Sequence, residues 1–146
     1  MLRMAEQNYA SHRRFLPAYH FFVIPVLFAN VIYSVVAAFR WPSKVWVWQV
    51  IVSIALLTFG FIARINALRV QDRLIRLEEQ LRLQRLLPAD MQNRIGELRP
   101  SQLIAMRFCH DDEVCDLARA ILAGEVKTAD EIKRRIKTWR PDWLRV

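Results

Sequence analysis

The stretch VWVWQVIVSIALLTFGFIA, residues 45–63, carries no charge and continues without Pro into ALRVQDRLIRLEEQLRLQRLL, residues 67–87. Composition changes at Arg64, yet nothing there stops a helix, because Ala, Leu, Arg, Gln and Glu all favour one. At about 1.5 Å per residue the run would be roughly 60 to 65 Å long, twice a hydrocarbon thickness of about 30 Å. Its first part, residues 45–63, reads as a membrane span. Its second, residues 64–87, reads as an amphipathic helix projecting into water.

Upstream, residues 20–39 contain no Asp, Glu, Lys or Arg and are long enough for a first span. A secretory signal peptide is the competing reading, with Arg13 and Arg14 before the apolar run and Ala37 and Ala38 near its end. The run exceeds the usual h-region of about 7 to 15 residues, which favours a retained span. Pro25 should kink this helix or release a carbonyl. Asn30 and Ser34, four residues apart, share a face that should look at the second span as intramembrane polar contacts. Tyr9, Phe15 and Tyr19 are candidate interfacial anchors in the polar N-terminal segment, residues 1–19, and Met4 is an alternative start.

Arg40, Trp41, Pro42, Ser43 and Lys44 leave room only for antiparallel neighbours, so residues 20–63 are expected to form a two-helix transmembrane hairpin. Trp41, Trp46 and Trp48 mark its outer interface. The loop offers Arg40 and Lys44, whereas Arg3, Arg13, Arg14, Arg64, Arg69, Arg73 and Arg76 flank the opposite ends. That excess of cations places both termini in the cytoplasm. Net charge +8 is then explained first by cytoplasmic retention, with anionic membrane lipid as the natural partner.

Beyond Ala63, the residues Ala67, Val70, Leu74, Leu77 and Leu81 follow a three-four spacing and form an interaction seam about two heptads long, shorter than a secure coiled coil requires. A second stripe, Leu68, Ile75, Leu83, Leu86 and Leu87, widens the apolar surface. One stripe or both can pack on the chain's own C-terminal helices or on another chain, giving a homo-oligomer or a complex with another membrane protein. Asp72 four before Arg76 and Glu78 four before Arg82 suit solvated faces and argue against nucleic acid.

Residues 88–146 read as a basic helical cytoplasmic subdomain of about four short helices. Pro88 and Pro100 open the first two, with Asp90 and Ser101 as polar starts. Asp111 is the expected N-cap of the next, and Gly124 its close. Cys109, His110, Asp111, Asp112, Glu113 and Cys115 have metal-ligand chemistry, but a second close pair is lacking, so neither metal nor cofactor is expected. Thr128 and Glu131 form a capping box for a last helix carrying Ile132, Ile136 and Trp139 on one face. Lys133, Arg134, Arg135, Lys137 and Arg140 form a basic patch beside them, and Trp139 and Trp143 are expected to complete the small core.

The runs ALRVQDRLIRLEEQLRLQRLLPADMQ (67–92), MAEQNYASH (4–12) and IKTWRPDWLRV (136–146) resemble an uncharacterised bacterial family of small two-span membrane proteins, a domain of unknown function. The resemblance implies a bacterial inner-membrane location and brings no activity or catalytic residue. The expected role is that of a structural or interaction protein, a scaffold or adaptor. The alternative is a membrane-tethered binder of anionic lipid or nucleic acid through the basic helix. An enzyme is disfavoured because no spacing sets a nucleophile beside a base.

Overall fold

The computed structural model describes Tyr9 and residues 16–142, and the roles expected of Arg3, Met4, Arg13, Arg14, Phe15 and Trp143 fall outside them. Among the described residues the protein is all-α: α1 (Ile24–Arg40), α2 (Lys44–Leu86), α3 (Ala89–Gln92), α4 (Pro100–Met106), α5 (Asp111–Leu122) and α6 (Ala129–Arg135). The chain divides into two compact units, the first centred on Arg14–Arg69 and the second on Val70–Arg145.

In the first unit a π-helical turn, Ala18–Val23, leads into α1. Pro25 lacks an N–H, and just ahead of it the pairing slips by one residue, so that Ile24 N–H reaches the Tyr19 carbonyl. The expected disturbance at Pro25 is thus a change of helical register before it. α1 packs on α2 through contacts whose order reverses along the two helices. Ser34 meets Ser53, Tyr33 meets Trp46 edge-on at 6.0 Å between centroids, and the Tyr19 hydroxyl donates to the Gly60 carbonyl at 3.3 Å. Gly60 faces α1, where a Cβ would meet Leu27 Cδ1 at 3.4 Å, an ordinary contact distance.

This unit is apolar outside, and the side chains buried within it, Ser34, Ala37 and Ser53, are small. Phe21, Phe28, Phe39, Trp48, Ile51 and Phe59 are exposed, while Ser34 and Ser53 are fully buried between the helices. The π-helical turn and α1 together, Ala18–Arg40, and α2 are each long and apolar enough to cross a membrane, and little of either apolar window is buried.

The second unit has the opposite layout. Leu83 near the end of α2 and Leu87 just beyond it join Met91, Leu103, Met106, Phe108, Val114 and Ile132 in one buried core. α2 closes at Leu86, and Pro88, in extended geometry, precedes α3 rather than occupying its first turn. Pro100 does open α4, where the Gln102 side chain accepts from Arg99 N–H at 2.8 Å. Gly124 ends α5 at φ 79°, a left-handed conformation natural to glycine. The capping box of α6 forms as the sequence implies. Glu131 N–H donates to Thr128 Oγ1 at 3.2 Å, and Thr128 N–H donates to Glu131 Oε2 at 3.3 Å.

Two further local expectations are corrected. Asp111 is the first residue of α5 and caps nothing, since its side chain is taken by Arg82; His110 holds the N-cap position. α6 stops at Arg135, so Ile136 and Trp139 lie in extended chain beyond it. There Trp139 forms an isolated antiparallel bridge with Cys109, with Arg140 N–H donating to the Phe108 carbonyl at 2.7 Å and His110 N–H to the Thr138 carbonyl at 3.2 Å. These bonds satisfy backbone groups that a continued helix would have used on itself.

Candidate interaction surface

In the second unit α2 presents its two apolar stripes differently. Ile75, Leu83 and Leu87 of the second stripe are buried, whereas Val70, Leu74, Leu77 and Leu81 of the seam are 68%, 55%, 54% and 51% exposed. Ala67 is exposed too. The unit's own helices therefore use only the second stripe. From Val70 to Asp142, the exposed large apolar side chains are those four, all on one face of one helix.

Beside the seam lies a half-open groove of about 900 Å³, edged by Leu74 and Leu81 and floored by an ionic cluster. Arg82 is its hub. Its Nη1 donates to Glu79 Oε2 at 2.9 Å, its Nε to Asp111 Oδ1 at 2.8 Å, and its Nη groups also reach the carbonyls of Met106 and Cys109. A residue of α2 thereby ties down the connection between α4 and α5. Glu79 lies one residue from the partner that sequence spacing gave Arg82, which was Glu78. Arg140 stands 3.9 Å from Glu79, and Arg107 pairs with Asp142 at 3.0 Å while lying over the Phe108 ring.

The cluster sets its own protonation. Burial pushes the Glu79 carboxyl above the ordinary carboxylate range, against the opposing pull of Arg82, Arg140 and Arg107. Asp111, hydrogen-bonded by Arg82, is held below that range. Glu113 is also lowered, first by the Thr138 side chain and then by the Lys137 and Thr138 N–H groups that it accepts. Sequence reasoning missed Glu79 and Arg82, although Glu79, four after Ile75 and four before Leu83, stands on the face of the second stripe, and that was a signal.

The remaining expected sites are scattered. Ser34 does face α2, bonding Ser53 at 2.7 Å and the Asn30 carbonyl; Asn30 contributes that backbone group and is half-buried. Of the basic patch, Lys133, Arg134 and Arg135 belong to α6, while Lys137 lies in the bend that follows and Arg140 beyond it. Arg134 pairs with Asp130 at 2.9 Å and Arg135 with Glu125 at 3.3 Å. Cys109 is fully buried, its thiol pushed up to about 12 mainly by burial and directed at the His110 carbonyl; Cys115 donates to the Leu86 carbonyl. Among the described residues no group of three His, Cys, Asp or Glu is placed to hold a metal ion.

Together these features define an all-α protein with two long apolar helices and a compact helical module that leaves one apolar stripe uncovered. The chain belongs to the family of unknown function DUF6526, whose family model matches residues 4–146. No curated protein and no solved structure matches it.

Proposed function

We propose that the protein is a structural or interaction protein of the bacterial inner membrane. α1 and the first part of α2 form a transmembrane hairpin, and the second unit is a cytoplasmic module that offers the Val70–Leu81 face to another protein. The reading is carried by the apolar exterior of the first unit. An apolar exterior of aromatic and branched side chains around two buried serines is unfavourable in water but suits hydrocarbon, where helices associate through small and hydroxyl residues. Arg64, Arg69, Arg73 and Arg76 beyond the apolar part of α2, against Arg40 and Lys44 between the helices, support a cytoplasmic module.

Alkaline carbonate extraction combined with cysteine accessibility tests this. The protein should stay with the membrane pellet. In spheroplasts, a membrane-impermeant maleimide should modify Ser43→Cys at once, and Lys127→Cys only after permeabilisation. Release by carbonate, or the reverse labelling order, would overturn it.

A further inference from the structure

The membrane reading has a consequence for what covers the exposed stripe. Copies inserted by the same charge rule share one orientation, so α2 helices meeting side by side above a common membrane run parallel. We infer that the stripe Val70, Leu74, Leu77 and Leu81 packs against the same stripe of a second copy, parallel and in register. This rests on the membrane reading above.

Spacing and charge both fit that occupant. With Leu74 and Leu81 at a positions and Val70 and Leu77 at d positions, Arg73 stands at g and Glu78 at e; both are exposed. In a parallel pair, g of one heptad faces e of the partner's next heptad. Arg73 thus meets the partner's Glu78, and two-fold symmetry makes the contact twice. The neighbouring flanks, Asn66 with the partner's Gln71 and Gln80 with the partner's Arg85, bring no like charges together. An antiparallel pair would lose the Arg73–Glu78 match, because g then faces g and e faces e. The seam spans only about two heptads, so confinement to one membrane supplies part of the association through raised effective concentration.

Full-length protein in native membranes tests the inference, with single cysteines at Val70, Leu74, Leu77, Leu81 and, as off-face controls, Arg69 and Asp72. Every variant carries Cys115→Ser, which removes the half-buried native thiol, and that background with its buried Cys109 serves as the blank. Copper-catalysed oxidation should give disulfide-linked dimers at the four stripe positions several-fold above the two controls. Arg73→Glu in the Leu74→Cys background should reduce the dimer several-fold, and adding Glu78→Arg should restore it. Dimer absent at every position, equal at Asp72 and Leu74, or not restored by the double charge swap would overturn the pairing. Carbonate resistance and cysteine topology in the same membranes would be untouched by that outcome, so its failure is distinguishable from failure of the membrane reading.

Discussion

Arg82 Nη1 and Glu79 Oε2 lie 2.9 Å apart on the buried side of α2, with side-chain exposures of 7% and 3%. The pair is a fastening as much as a salt bridge, because the same guanidinium also holds two backbone carbonyls and Asp111. Removing Arg82 leaves the buried Glu79 carboxyl and two backbone carbonyls without this donor.

Arg82→Leu should therefore cost about 3 to 5 kcal/mol, the range for breaking one side of a buried ion pair. Glu79→Gln should cost much less, since the amide oxygen still accepts from Arg82. Thermal unfolding of the purified protein in detergent, followed by helical signal, checks the order.

The same pair predicts a pH trend. The Glu79 pKa is raised on folding, so the native chain keeps a proton that the unfolded chain has lost. Stability from this group falls as pH rises from the ordinary carboxylate value through the raised one, and Glu79→Gln should remove that fall. Asp111 and Glu113 act with the opposite sign. Their lowered pKa values contribute stability above the ordinary value that is lost as pH drops through the folded one. Glu113→Ala should flatten the acid limb and cost about 1 kcal/mol at neutral pH, a figure reduced for partial exposure. Melting temperature between pH 3 and 8 separates the two limbs.

On the proposed membrane reading, Ser34→Ala or Ser53→Ala between α1 and α2 should cost about 0.6 kcal/mol, the average for hydrogen bonds between membrane helices. Bulk should matter more. Gly60→Ala should be tolerated, because its Cβ meets only the ends of the Leu27 and Ile24 side chains at ordinary contact distances, whereas Gly60→Leu should force the helices apart and lower the melting temperature.

Thiol labelling should be strongly ordered. Cys109, buried and with its pKa near 12, should resist alkylation at pH 8 until the module unfolds, while half-buried Cys115 should react first. Mass spectrometry after timed labelling reads the order, and early modification of Cys109 would contradict its buried position.

Much of the fold was legible because the signals are local. The apolar runs, the capping box at Thr128 and Glu131, Pro100 and Gly124 each follow from the preferences of a few adjacent residues. Local spacing failed where a distant partner competed. Asp111 has the chemistry of an N-cap but is drawn to Arg82, 29 residues away. Ile136 and Trp139 keep a helical spacing, yet the chain there is extended and bonds Phe108 and His110.

The apolar stripes of α2 show the division most plainly. Sequence by itself determined that both exist, because a helical period of 3.6 assigns every residue to a face. Only the tertiary structure decided that Ile75, Leu83 and Leu87 are covered and that Val70, Leu74, Leu77 and Leu81 are not. That choice depends on how the chain after Pro88 returns to the helix, and Arg82 fixes the return by holding the turn between α4 and α5. A guanidinium with several donors makes such a tie wherever carbonyls and a carboxylate converge, and convergence of that kind is a property of the folded chain.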